Sequence, residues 1–489
     1  MAEDWRPPGE PGPRCTRTLR LRQGVRSVTA PDGAVALVHD GLRGERLGTL
    51  TAGEAAVLQQ LATGEHTERD LLRTLAEHDG TDRAAAGMLL PRLHVGGWLT
   101  VHLGHEDHRL LSMRPLARHR DLEQPRGRPP AEPRLCRFAV LRREGDALAM
   151  ESPLSDVAVT VHDPRVLTLL HHLAAGPKSA GRDAADRAMA DPVAIGLPSS
   201  IVSELVAELA WCGFVREAGE DTLPDLAVEQ WGGHELWFHS RSRAGAHDLP
   251  FGVTNWADGR FTPLPARREP FPAEAVRLPT PDLDAMADPP LSAVMNARRS
   301  VRSHDATRPL TLDQLGEFLY RSARVTRVAV AGLSEETLRP SASGGALHSL
   351  EIYPLVTDMA GLPAGMYHYD PFDHALEPVP ADGFALTQLA GMAGVAVGLP
   401  GPPQVLLLIS ARFGRVMWKY QSMGYALILK DLGALMQTMY LVATAMGLAP
   451  CAIGSGDSRL FANATGADPL AETSVGEFAL GSRRLPDRP

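Results

Sequence analysis

VMWKYQSMGYALILKDLGALMQTMYLVATAM, residues 416–446, is the stretch on which the fold of this 489-residue chain turns. From about Ser422 to Gly447 apolar residues cover most of the helical circumference, which predicts one long helix buried nearly all round, either central in its domain or between two copies. Just ahead of it, Lys419 and Tyr420 offer an amine and a phenol able to remove or relay a proton where burial tunes them. On chemistry alone they read rather as a surface pair.

Loops of small residues stand on both sides of this helix. Upstream, RPSASGGALHSLEIYPLV (339–356) runs small residues from Ser341 to Gly345, Ser343 and Gly344 among them, into a helix and strand; backbone without bulky side chains can approach a flat ring system closely. Downstream, GLAPCAIGSGDSRL (447–460) places Gly454, Ser455 and Gly456 after the helix, with no GxGxxG dinucleotide fingerprint. Taken singly, each is also an ordinary glycine loop. Further upstream, MNARRSVRSHD (295–305) sets Arg298, Arg299, Ser300 and Arg302 at the end of a short helix. Such a fork can grip a phosphate bidentately, although a short basic cluster by itself reads as a solvated turn.

In this order, the RRSVR, PSASGGALHSLEIYP, WKY and GLAPCAIGSGD segments resemble the nitroreductase-like flavoproteins, and more closely the SagB-type azoline dehydrogenases. HELWFHSRSR resembles the lead-in of that subgroup, and the likeness runs over roughly residues 225–489. The resemblance implies FMN held by Arg298, Arg299, Ser300 and Arg302, with Arg483 of LGSRR at the phosphate. It sets Ser341, Ser343, Gly344, Gly454 and Ser455 against the isoalloxazine ring. It makes Lys419 the base that removes the acidic carbon proton of a thiazoline or oxazoline, with Tyr420 orienting or relaying, and the flavin as hydride acceptor. It further implies a homodimer, an azoline-containing precursor peptide as substrate and a cyclodehydratase complex as partner. Two other readings stand beside it: a nitroreductase or ene-type reductase using NAD(P)H on small molecules, and a non-catalytic scaffold that binds a leader peptide for a cyclising enzyme.

The N-terminal half repeats a pattern. GAVALVH, TAGEAAVLQQLATG, TERDLLRTLAEH, AAAGMLLPRLHVGG and WLTVHL alternate strand-like, helical and strand-like periodicity, and AVTVHDPRVLTLLHHLAAG with VSELVAELAWCGFVRE repeats it in outline. The expected architecture is therefore α+β. Residues 1–28 are a flexible lead-in, 29–115 and 135–220 are two winged-helix-like domains joined by the Pro- and Arg-rich linker 120–134, and 225–489 is a nitroreductase-like flavin domain with a mixed sheet flanked by helices. A Pro-rich connector spans 249–290. Neither repeat carries a basic recognition helix, so peptide capture or a structural role is expected there rather than DNA binding.

A formal charge of −9 argues against nucleic acid or an anionic membrane as partner. With 44% hydrophobic and 22% charged residues the chain has an ordinary globular composition. Cys15, Cys136, Cys212 and Cys451 are dispersed and form no CxxC pair, which fits a reduced, cytoplasmic setting. MAEDWRPPGEPGPR lacks the basic start and apolar run of a secretory signal. His102, His105 and His108 in HLGHEDH match no zinc spacing and are expected as surface residues, with no metal site. No GxSxG elbow or P-loop is present.

Overall fold

TRTLRL, Thr16–Leu21, turns Leu19 and Leu21 to one side, and that alternation makes it a strand: both leucines are buried where it pairs antiparallel with Leu99–His105. In the computed structural model, which describes residues 14–39, 43–79, 88–116, 129–175, 195–218 and 226–484, structure therefore begins within the expected lead-in, of which 1–13 lie outside the described residues. Two units form, Met1–Pro250 and Phe251–Pro489. The division thus falls later than residue 225, and the helix Gly233–Arg241 belongs to the first unit.

In the first unit the helices Ala52–Thr63, Glu68–Asp79 and Leu89–Val95 precede the hairpin of Leu99–His105 and His108–Pro115. A capping box of Thr51 and Glu54 starts the first of these helices. The second repeat contributes the strand Val157–Val161 and the helices Pro164–Ala175 and Ser199–Trp211. The repeats are not two separate domains. His108–Pro115 pairs with Val157–Val161, so one six-stranded sheet runs through both, and one core holds Trp98 with Val159, Leu205 and Phe214. A hairpin edge left unpaired would present a row of open backbone groups, and the second repeat covers it. Pro133–Leu135, at the end of the expected linker, pairs with Val215–Glu217; residues 117–128 lie outside the described residues.

His102 corrects another expectation. It is buried, and its Nδ1 lies 2.6 Å from Ser112 Oγ, which in turn lies 2.8 Å from His162 Nε2.

The second unit is built on seven strands in the order Val276–Arg277, Ala375–Pro378, Gly365–Asp370, Leu350–Val356, Val405–Arg412, Glu472–Ser482, Leu448–Ile453. All neighbours in it are antiparallel, not mixed as expected. The helical crossover does make Val405–Arg412 and Leu448–Ile453 run the same way, but Glu472–Ser482 inserts between them antiparallel to both. Every residue of Val405–Arg412 is buried, because helices cover both faces. Leu407 and Ile409 meet Phe318, Ile428, Leu435 and Met439 on one side; Leu406 and Leu408 meet Leu389, Ala393 and Phe461 on the other. Each such leucine contributes about 1.5–3 kcal/mol relative to exposure.

The long helix is Gly424–Ala445, and it is not buried all round. Gly424, Ile428, Asp431, Leu432, Leu435, Met439, Tyr440 and Ala443 form a buried stripe at helical spacing. The remaining circumference is partly exposed in the single chain, with Tyr425 at 38%.

Candidate functional site

The stripe of the long helix carries two polar residues, and each organises one group of candidate side chains. Asp431 is buried; its carboxylate accepts from Ser343 Oγ at 2.6 Å and from Gly344 N at 3.0 Å, while Ser343 Oγ accepts from His348 N at 3.0 Å. The loop is thus folded onto the helix as one tight turn, Gly344–Ala346, rather than the full helix expected before the strand Leu350–Val356. Burial pushes the Asp431 carboxyl upward, against the Ser343 and Gly344 hydrogen bonds that favour its charge.

Tyr420 lies over this loop. A Cβ on Gly345 would come 2.7 Å from the Tyr420 hydroxyl, and Gly345 has φ 63°, so a side chain is excluded twice over. Burial raises the Tyr420 phenol, with the charges of Asp431 and Glu336 acting in the same sense. Lys419 Nζ sits 4.0 Å from Glu336 Oε1 and 5.9 Å from the Tyr420 ring centre. Glu336 comes from the hairpin of Arg327–Ala331 and Ser334–Leu338.

Tyr440 organises the second group. Its hydroxyl accepts from Ala452 N at 2.8 Å and lies 2.8 Å from Ser300 Oγ, and its ring lies 5.2 Å from the Arg298 guanidinium. With Ala452 donating to it, Tyr440 can direct its own proton to Ser300 and leave the serine hydroxyl free to donate elsewhere. Val301 N bonds Pro450 O, Asp305 N bonds Ser482 O, and His304 bridges Arg483, so the arginine segment, the strand Leu448–Ile453 and Arg483 run side by side. Arg299 is turned back onto the carbonyls of Asn296 and Arg298. Gly454 and Ser455 follow that strand; Gly454 has open space where a Cβ would stand, and Asp457 caps the next helix, Ser458–Thr465.

The structure therefore brings the predicted residues together as two sets, Ser341–Gly345 with Lys419–Tyr420, and Arg298–Arg302 with Leu448–Ser455 and Arg483. The helix residues that anchor them, Asp431 and Tyr440, are separated by roughly 14 Å of helix rise. Asp431, Tyr440, Glu336 and Arg415 were not among the predicted residues. Only Asp431 had a sequence signal: a carboxylate on an otherwise apolar helix face needs partners. Arg415 is 3% exposed and joins four segments, donating to Leu347 O, Glu335 O and Leu264 O at 2.6, 2.8 and 2.8 Å.

The residues fit a bound flavin mononucleotide on two counts. Among the described residues Arg298, Arg302 and Arg483 form no ion pair with a carboxylate, which leaves their charge available to a phosphate. Beneath the small-residue loop, Arg339 Nε and Nη2 are buried without a hydrogen-bond partner in a cavity also lined by Ser341, Ser343 and His348. No metal-binding group of His, Cys, Asp or Glu exists among the described residues.

Comparisons with known proteins match segments in both units. Residues 295–482 match the nitroreductase family, and residues 133–248 match the cyanobactin oxidase ThcOx family. A nitroreductase-like protein of Methanocaldococcus jannaschii is 28% identical over 37% of this chain and 85% of its own length. The trifolitoxin-processing protein TfxB of Rhizobium leguminosarum bv. trifolii is 28% identical over 35% of this chain, and the microcin B17-processing protein McbC of Escherichia coli is 33% identical over 22%. The matches span 47% and 42% of those two peptide-processing relatives. A nitroreductase-family domain behind a ThcOx-type segment, with peptide-processing relatives, makes this chain similar to the SagB-type, nitroreductase-like proteins.

Proposed function

We propose that this chain is an FMN-dependent dehydrogenase that oxidises thiazoline or oxazoline rings to thiazoles or oxazoles in a ribosomally made peptide. The observation that carries the reading is the adjacent Lys419 and Tyr420 standing over the small-residue loop, the phenol against Gly345 and the amine beside Glu336. Two relatives named for peptide processing support the substrate class.

When bound, the flavin supplies hydride acceptance, and aromatisation of the ring favours the reaction. The chain's own part is positioning and proton handling. Lys419 takes the acidic carbon proton, Tyr420 orients the ring or relays that proton, and Asp431 fixes Ser343 and Gly344 in the loop that would face the cofactor. Arg298, Ser300, Arg302 and Arg483 would hold the phosphate.

A homodimer belongs to this reading. The two sets of site residues sit apart along one helix whose outer face is partly exposed, and a second copy against that face would bring complementary sets together. The peptide's rings would come from a cyclodehydratase complex.

The purified protein is expected to show a flavin spectrum and to release FMN by mass. Lys419→Ala is expected to keep FMN and lose azoline oxidation by about a hundredfold or more, the scale of a missing general base. Unchanged turnover in that variant would remove Lys419 as the base. The likeness to the archaeal nitroreductase-like protein favours a second reading, reduction of small molecules by NAD(P)H. Rapid flavin reduction by NADPH with no peptide oxidation would select it.

A further inference from the structure

Residues 251–264 lie between the two matched segments, 133–248 and 295–482, and in sequence read as part of a Pro-rich connector. In the structure they follow the peptide that carries Lys419 and Tyr420. Gly252 and Val253 pair antiparallel with Gln421 and Tyr420. Thr254 N and Asn255 N both donate to Lys419 O, each at 3.1 Å. Trp256 Nε1 donates to Met417 O at 2.6 Å, and Trp418 Nε1 returns a bond to Phe261 O at 2.7 Å. Leu264 O takes the buried Arg415 guanidinium.

That arrangement answers a local need. The reactive pair lies between the short helix Phe413–Met417 and the long helix from Gly424, where no helical ladder takes up the carbonyls, and Ser422 has φ 60°. Free carbonyls at Met417 and Lys419 would leave the peptide planes free to rotate. Asn255, at φ 49°, makes the sharp turn that aims two successive N–H groups at one oxygen, a conformation Asn tolerates. Trp256 is 38% exposed, so its contribution is the indole N–H rather than core burial.

Resting on the reading of Lys419 and Tyr420 as the reactive pair, we propose that residues 252–264 are a strap that sets the orientation of that pair, with Trp256 as a positioning residue acting through the Met417 carbonyl. The strap makes no new chemistry; it restricts the angle from which the Lys419 amine meets the substrate carbon. Loss of one hydrogen bond at this point loosens the geometry of the reactive step without touching flavin or peptide binding.

The test uses the full-length, FMN-loaded protein and an azoline-containing peptide. Trp256→Phe keeps a ring against Phe261 and deletes only the N–H. It is expected to lower kcat about tenfold, the scale of one hydrogen bond of about 1.4 kcal/mol, with KM and FMN affinity within twofold and Tm unchanged. Asn255→Gly keeps both the turn and the N–H and is expected to stay at wild-type turnover. Unchanged kcat in Trp256→Phe, or kcat, FMN affinity and Tm falling together, overturns the strap while leaving the reactive pair standing. Wild-type turnover in Lys419→Ala overturns the reactive pair, and the strap with it.

Discussion

Gly345 shows how little room the site leaves at the residue scale. A methyl group there meets both a left-handed backbone, φ 63°, and the Tyr420 hydroxyl 2.7 Å away. Gly345→Ala should therefore cost about 1 kcal/mol in stability and displace the phenol, with activity down about tenfold or more and FMN retained. Flavin titration beside steady-state kinetics checks this; equal losses in both would mean the loop, not the phenol, had moved. Lys419 and Tyr420 were legible in the sequence because they are neighbours in it. Glu336, Tyr440 and Arg415 were not, since each reaches the site across more than 75 residues of chain or from an unremarkable helix position, and only folding brings them near.

At the scale of elements, caps and turns decide how the loops are held. Asp457 ends the glycine loop and caps Ser458–Thr465 by accepting from Leu460 N at 2.8 Å. Asp457→Ala removes that acceptor from a short helix and should cost about 1 kcal/mol. Because Gly454 and Ser455 lead directly into this cap, FMN affinity should weaken several-fold as well; thermal melts with and without FMN separate the two effects. Boundaries of the long helix were readable to within two residues, from its apolar run and the glycine that follows. Its burial was not: periodicity states how apolar a surface is, whereas the extent of cover depends on which elements arrive from elsewhere, and here one chain covers only one stripe.

In the whole molecule, the first unit behaves as one body because its two repeats share a sheet, and the contacts joining them respond to acid. Ser112, on the last strand of the first repeat, bridges His102 and His162. Burial lowers both imidazoles, His102 to about 4, with Arg109 acting in the same sense on both; Glu65 opposes it, and Arg20 adds to the lowering at His102. Both rings are therefore neutral in the fold and take up protons more readily when unfolded. Their contribution is present above the unfolded value near 6.5 and is lost as pH falls from there towards 4. The melting temperature of the first unit should drop across that window, and His102→Gln should flatten the drop. A profile unchanged by the substitution would assign the acid sensitivity elsewhere.

The sequence by itself determined the nitroreductase-family likeness of the C-terminal half, because the arginine segment, the small-residue loops and the Lys–Tyr pair are each local runs whose order survives without coordinates. It also determined most helices and strands, because periodicities of 3.6 and 2 are written along the chain. Tertiary structure alone decided that the repeats merge into one sheet, that Glu472–Ser482 slips between two strands running the same way, and that residues 252–264 pair with the segment carrying Lys419 and Tyr420. The physical reason is common to all three. Backbone N–H and C=O groups must find partners wherever the chain packs, and that pairing is set by spatial neighbours that side-chain patterns do not encode.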